Sequence, residues 1–477
     1  MLQICNKYVR TLVYKCLTSH VTGSCKFPNK TTPMFLFLVK SSNVSRREIM
    51  RVFIKSYGCS ANTADTEVLK GCLAKAGYKI ADSVSTATVV IYNTCAVKGP
   101  TENRIIQALK RIPPEKKLII TGCLPIINFE RLHREVRFDG VVGPAAGEKI
   151  ADVVRRVMES EKVVDLESAL TAKPTLTLPR LRSNPVISVL PVSYGCLGSC
   201  AYCCVVFARG HLRSYAINEV TERVQADLAA GAKEFWITSQ DTACYGRDKG
   251  TNLAVLLKAV GAAEGDFHVR IGMMTPNLVT DILDDLIASF KNSKIFKFVH
   301  LPVQSGDDTV LKRMRRFYTV QDFLQNVNTF RAAFPKITLA TDIICGFPDE
   351  TREAFENTLK LIDEVKPDIV NVSKFFARPR TAAAEMRETF VEPTEIKRRS
   401  TEAAKLVKRV ALDKNQRWIN WSGEVLIDEK GKVPGSWIGR NFAYKPIIVK
   451  SSANLLGRTL RVKVVKAFST HLAGKAE

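Results

Sequence analysis

The sequence predicts an α/β protein in three parts: an N-terminal open parallel α/β domain, a central partial β/α barrel of six units, and a small C-terminal β-barrel of the OB kind. Three observations predict it. From residue 51 short apolar runs alternate with amphipathic stretches, the pattern of parallel sheets covered by helices. One polar, proline-containing stretch at 163–184 interrupts that alternation and reads as a linker. After about residue 416 the pattern changes to short β-like runs with glycine turns. At 477 residues the chain also exceeds what a single core organises.

Residues 1–49 come first and resemble nothing after them. They hold eight basic residues and one acid, Glu48, with scattered Cys5, Cys16 and Cys25 and no period. This segment is expected to be a disordered extension, either an organelle transit peptide or a mis-assigned start ahead of Met50, and dispensable. Residues 50–160 form the first domain. Its strands are expected at 51–57, 88–92, 117–120 and 140–143. Between them lie a helix with Val68, Leu69, Cys72, Leu73 and Ala76 on one stripe, and another with Ile105, Ile106, Leu109 and Ile112. A helix at 147–159 closes the domain. The second domain, 182–412, has expected strands at 186–192, 234–238, 268–272, 297–301, 338–344 and 368–375, separated by stretches such as 218–228 and 354–365. Six units leave a β/α barrel open. A charged helix at 394–416 leads to the terminal barrel, 415–474, with strands near 423–428, 435–438, 446–450 and 459–465.

The net charge is +24, and the basic excess persists when residues 1–50 are set aside, which favours an anionic partner, nucleic acid first. Thirteen cysteines, unevenly placed in so long a chain, suit reduced metal ligands better than a disulfide framework. No apolar run is long enough to span a bilayer, so a soluble, cytoplasmic protein with no membrane partner is expected.

Two cysteine sets carry the chemistry. Cys196, Cys200 and Cys203 lie in YGCLGSCAYC, directly after the first strand of the second domain. Random placement would give this spacing roughly one time in a hundred. Gly195 and Gly198 let the backbone wrap a ligand. Zinc competes, but a closed structural zinc site wants a fourth ligand, and none is evident. Three cysteines leave one iron of a 4Fe–4S cluster open to substrate. Cys59, Cys95 and Cys123 each follow a strand of the first domain, in KSYGCSANTADTE, IYNTCAVKGPTENR and IITGCLP. Ligands bind beyond the carboxyl ends of parallel strands, so these three should converge. Cys72, Cys244 and Cys345 are expected to pack, and Cys204 either to pack or to be a spare thiol.

On these motifs the chain resembles the methylthiotransferases of the radical S-adenosylmethionine superfamily. ARGHLRSY (208–215), LPVQSGDDTVLKRMRR (301–316), TDIICGFPDET (341–351) and FFARPRTAAAEM (375–386) support the resemblance, which runs from Met50 to about 470. The wording NTCAVKGPTENR and TSQDTACYGRD is most similar to the archaeal and eukaryotic branch, whose members act on N6-threonylcarbamoyladenosine next to the tRNA anticodon. Asp349 stands where that family usually has glycine. The eukaryotic relatives end in a membrane tail, whereas this sequence ends HLAGKAE, so a tail anchor is not expected.

The resemblance implies two 4Fe–4S clusters, S-adenosylmethionine, a tRNA anticodon loop as partner, an electron donor and a sulfur source. The Cys196/Cys200/Cys203 cluster would chelate S-adenosylmethionine, whose reductive cleavage yields a radical able to open the adenine C2–H bond. The Cys59/Cys95/Cys123 cluster would deliver sulfur, and a second S-adenosylmethionine the methyl group. Ser239, Gln240, Asp241, Gln304 and Ser305 are candidate cofactor contacts at strand ends. The terminal barrel carries eleven basic residues against four acids and resembles the family's RNA-binding TRAM domain. Within it Trp437, Arg440, Tyr444 and Lys445 are the candidate RNA contacts. Arg209, Arg378 and Arg380 are candidates for reading the substrate carboxylate. Isopentenyladenosine in tRNA, a ribosomal-protein aspartate and a non-catalytic iron–sulfur RNA-binding role remain alternatives.

Overall fold

A computed structural model describes residues 50–167, 171 and 173–477, so the extension at 1–49 lies outside the described residues. The first domain is a six-stranded parallel sheet in the order β2-β1-β3-β4-β5-β6. Its strands are β1 (Arg51–Ser56), β2 (Lys79–Ile80), β3 (Val89–Thr94), β4 (Lys117–Gly122), β5 (Gly140–Val142) and β6 (Val163–Asp165). Helices α1 (Ser60–Lys75), α2 (Gly99–Lys110), α3 (Cys123–Ile127) and α4 (Lys149–Met158) cover it. Every residue of β3 is buried, as both-face coverage requires, which explains its unbroken VVIY run. Two strands exceed expectation. β2 and β6 are two and three residues long, too short to show a period, and β6 carries the sheet past residue 160.

The second domain holds β7 (Ile187–Pro191), β10 (Glu234–Thr238), β11 (His268–Ile271), β12 (Phe298–His300), β13 (Thr338–Cys345) and β14 (Ile369–Lys374). A two-stranded ribbon, β8 (Ser193–Tyr194) with β9 (Arg213–Ser214), stands at the end of β7. The six parallel strands form two sheets, β11-β10-β7 and β12-β13-β14, joined by a single bridge between Val269 and Ile295. The arc is open, as six units demand, with a seam at its middle. Around it run α5 (Val205–Arg209), α6 (Ile217–Ala229), α7 (Leu253–Ala262), α8 (Val320–Ala333), α9 (Arg352–Val365) and α10 (Pro393–Gln416). The largest apolar cluster lies between these helices and the sheets, centred on residues such as Phe235, Leu256, Phe290, Phe323 and Phe355.

The terminal segment is a closed barrel, β15-β16-β17-β19-β18 (Ser422–Lys430, Ser436–Arg440, Pro446–Lys450, Leu472–Ala476 and Thr459–Ala467). It docks on the second domain through Tyr444, which packs against Phe296 and Phe298. No helix among the described residues is long and apolar enough to cross a membrane.

The stretch at 163–184 is not a free linker. Arg180, 3% exposed at its side chain, bonds Glu67 of α1 at 3.0 Å and faces Asp227 of α6 at 3.5 Å. Irregular backbone hid this from any periodicity, because what pins the segment is charge.

Candidate active site

Cys196, Cys200 and Cys203 occupy the loop between β8 and α5. The loop begins at Gly195, whose φ of +78° and 1.9 Å approach of any Cβ to the His211 carbonyl admit only glycine. The sulfurs sit among donors. The Gly198 N–H lies 3.1 Å from Cys196 Sγ, the Val205 N–H donates to Cys203 Sγ at 3.4 Å, and Arg316 Nη1 to Cys200 Sγ at 3.2 Å. Burial, reinforced by Cys200, pushes the Cys203 thiol up to about 12. Backbone donors and a buried guanidinium stabilise sulfur as thiolate, the form a metal needs. Arg316 was missed in the sequence; its place in LKRMRR marks it only once the fold brings it beside the loop.

Cys59, Cys95 and Cys123 leave the carboxyl ends of β1, β3 and β4, which are neighbours in the sheet. Cys59 is the N-cap of α1, and Cys123 opens α3 after Gly122. Gly122 holds φ at +94°, and a Cβ there would strike the Thr94 carbonyl at 2.3 Å. Neighbouring thiols add to the effect of burial: Cys95 is raised further by Cys59, and Cys123 by Cys59 and Cys95. Burial pushes Cys123 up to about 12, with Arg209 opposing it. Arg209 is 1% exposed, ion-paired with Asp65 at 2.7 Å, and its Nη1 is buried with no acceptor in bonding geometry. An orphaned cationic donor beside two buried thiols, Cys95 and Cys123, and the exposed Cys59 fits an anionic sulfur cluster there.

The Tyr194 hydroxyl, two residues before Cys196, donates to Asp65 at 2.6 Å. Asp65 thus ties the helix that starts at Cys59 to both ends of the second cysteine loop. Cys72 and Cys345 are buried in apolar clusters as expected, and Cys204 lies against the Ala96 carbonyl. Cys244 corrects the expectation of plain packing: its thiol lies beside Cys196 and holds that thiol below its ordinary value despite burial. The ligand atoms of Cys196, Asp241 and Cys244 all lie within 4.8 Å of one another. The long sequence separation hid this neighbour of the loop.

The other candidates divide. Gln240 accepts from the Gly195 N–H at 2.7 Å, so it holds the loop. Asp241 accepts from Ala243 and Thr275 N–H groups. Ser239 Oγ is buried without a partner. Gln304, at a φ of +71°, lines a cavity of 320 Å³ with Lys98, Tyr202, Cys203, Asp342, Asn371 and Lys374. Ser305 is corrected: fully buried, its hydroxyl meets Thr358 of α9, a packing role. Burial raises Asp342, but hydrogen bonds with His300 at 3.0 Å and Asn371 at 2.6 Å hold it below its usual value.

The four expected RNA contacts are likewise corrected. Trp437 belongs to the barrel core, and Arg440 bonds Asp428 at 3.0 Å and Glu429 at 2.8 Å. Tyr444 bonds Glu234 at 3.1 Å, and Lys445 bonds Asp368 at 2.7 Å. These side chains fasten the barrel and face inward. Arg209 and Arg378 are also spent, Arg378 on buried Glu102, while Arg380 stacks 4.8 Å over Phe207. Asp349, in place of glycine, does occupy a left-handed position (φ +63°), where its carboxylate pairs with Arg313.

Comparison with known proteins agrees with this geometry. Residues 51–143 match the "Uncharacterized protein family UPF0004", and residues 190–362 the "Radical SAM superfamily". The chain is 38% identical, over 90% of its length and 99% of the relative's, to a "Probable threonylcarbamoyladenosine tRNA methylthiotransferase" of Pyrococcus horikoshii. It is 32% identical, over 90% of its length and 74% of the relative's, to the "Threonylcarbamoyladenosine tRNA methylthiotransferase" of Homo sapiens. Among solved structures, the radical S-adenosylmethionine methyltransferase TsrM of Kitasatospora setae superposes with a TM-score of 0.52 at 13% identity, covering 70% of this chain and 75% of its own, a likeness of fold.

Proposed function

Because the chain belongs to the threonylcarbamoyladenosine tRNA methylthiotransferase family of radical S-adenosylmethionine enzymes, we propose that it places a methylthio group on C2 of N6-threonylcarbamoyladenosine in tRNA. The observation that carries this reading is the pair of cysteine loops. Each has a buried guanidinium beside its sulfurs, Arg316 and Arg209, and the Asp65 contacts hold the two against each other.

Cys196, Cys200 and Cys203 hold one 4Fe–4S cluster, and Cys59, Cys95 and Cys123 a second. When bound, such clusters and S-adenosylmethionine supply the one-electron chemistry and the sulfur for an unactivated C–H position. The chain's own residues supply the rest. Gly195 and Gln240 set the loop's shape. Arg316 and Arg209 bring positive charge to the two sulfur sets. Ser239 offers an unpaired hydroxyl for the methionyl end of the cofactor, and Gln304 faces the cavity. An electron donor and a sulfur source act as external partners. The barrel's exposed basic residues, including Lys463 and Lys475 side by side on β18 and β19, offer a phosphate-binding face.

Anaerobically reconstituted protein is expected to hold about eight irons per chain. Alanine at Cys196, Cys200 or Cys203 abolishes deoxyadenosine formation; alanine at Cys59, Cys95 or Cys123 spares some cleavage and abolishes thiolation. Nucleoside mass spectrometry of tRNA carrying threonylcarbamoyl- or isopentenyladenosine decides the substrate. Faster reaction of the isopentenyl substrate overturns it. Stable zinc in place of iron, for example on Cys196, Asp241 and Cys244, overturns the mechanism.

A further inference from the structure

The cavity beside Cys203 has two walls from different parts of the chain. Val97 and Lys98 come from the loop after Cys95, while Asn371, Ser373, Lys374, Phe375 and Phe376 come from the end of β14. These walls touch: a Cβ at Gly99 would stand 3.3 Å from the Phe376 ring. The cavity therefore lies between the loop of Cys95 and the loop of Cys203. A base that must meet chemistry from both cysteine sets has to enter such a space. At 320 Å³ it matches the lower range of ligand pockets, of order 300–1,000 Å³.

Its charges are uneven. Asp342 is the acid on the wall, and its carboxylate is already held by His300 and Asn371. Lys98 and Lys374 are exposed; the Lys98 charge also helps to lower Asp342, and neither lysine is within salt-bridge distance of an acid among the described residues. Lys98 is moreover the N-cap of α2, whose first N–H groups add partial positive charge at the same wall. The neighbouring arginines differ: Arg209 and Arg378 are closed into buried pairs with Asp65 and Glu102. A cavity with two exposed ammonium groups against one acid, itself held by His300 and Asn371, is arranged for an anion.

We propose that Lys98 and Lys374 are the specificity residues that receive the carboxylate of the threonylcarbamoyl group. The proposal rests on the function given above and adds the contact that separates this substrate from apolar-substituted adenosines. The carboxylate accepts charge-assisted hydrogen bonds from the two ammonium groups, while the adenine lies deeper, among Tyr202, Phe375 and the cysteine loop. An uncharged substituent forgoes both contacts, and at solvent-exposed ammonium groups their loss is worth about three- to tenfold in discrimination.

The test uses reconstituted, iron-loaded enzyme and anticodon stem-loop RNAs that differ at one group: the free acid, and its methyl ester, with identical phosphates. Wild-type protein is expected to favour the acid by about three- to tenfold in kcat/KM and in RNA affinity. In Lys98→Met/Lys374→Met the preference should fall towards one, with iron content unchanged, and arginine at both positions should restore it. A double variant that keeps the preference overturns the proposal. Equal weakening for acid and ester overturns it too, because the lysines then serve RNA phosphates. Wild-type enzyme that modifies only isopentenyladenosine removes the function itself, an outcome visible before any lysine is changed.

Discussion

Arg209 has almost no contact with water, and its charge answers both Asp65 and the thiols of the first domain. Removing one partner of a buried pair leaves the other charged and dry, at about 3–5 kcal/mol. Arg209→Met should therefore lower unfolding free energy by about that amount in a urea titration, and Asp65→Asn in the same chain should recover part of it. Cys123 and Cys203 give a pH signature in the metal-free chain. Their folded values, about 12, exceed the ordinary thiol value near 9. Burial favours the neutral thiol, so its contribution is complete below pH 9 and lost as pH rises towards 12. Urea midpoints across that range should fall, and Cys123→Ala should flatten the fall. The six cysteines were legible for two reasons: Cys59, Cys95 and Cys123 each come after a strand, and Cys196, Cys200 and Cys203 share one tight spacing. The groups that surround their sulfurs, Arg316 and Cys244, were not, since hydrogen-bond partners far apart in sequence leave no spacing.

At the scale of elements, the barrel's seat on β10 contains a titrating pair. Glu234 Oε2 and Asp428 Oδ1 are both buried without a donor, and one proton shared between them satisfies both. Burial beside Asp428 pushes Glu234 up to about 8. The protonated form belongs to the folded state, so its stabilisation is complete below about pH 4.5 and is lost as pH rises through 8. Glu234→Gln should flatten this slope in thermal melts and stabilise the chain at pH 8. Trp437→Ala should cost about 3–5 kcal/mol through the cavity it leaves, a loss read by denaturation rather than by RNA titration. The barrel itself was legible from its glycine-punctuated strands. Which face its cations take was not: Arg440 and Lys445 look like an RNA platform until Asp428 and Asp368 arrive from elsewhere in the fold.

For the whole molecule, the exposed lysines of β18 and β19 lead to a prediction about tRNA. Lys463→Glu with Lys475→Glu should weaken binding for every tRNA alike and reduce the slope of log affinity against log salt, by about one per lost phosphate contact. A filter-binding series at several salt concentrations checks it; an unchanged slope would place the RNA elsewhere. The three-part order of the chain was readable because alternation and its interruption are long-range patterns, whereas the attachment of the parts was not. That attachment has one recurring form. Asp65, Glu67 and Glu102 of the first domain are each buried against an arginine from beyond it, Arg209, Arg180 and Arg378. Apolar surfaces tolerate a new neighbour of similar size; a buried acid accepts only a cation at one place. The first domain of such a protein is therefore poorly exchangeable. A chimera that borrows it from a relative will fold only if the three arginines travel with it, and in descent the six positions should change together or not at all.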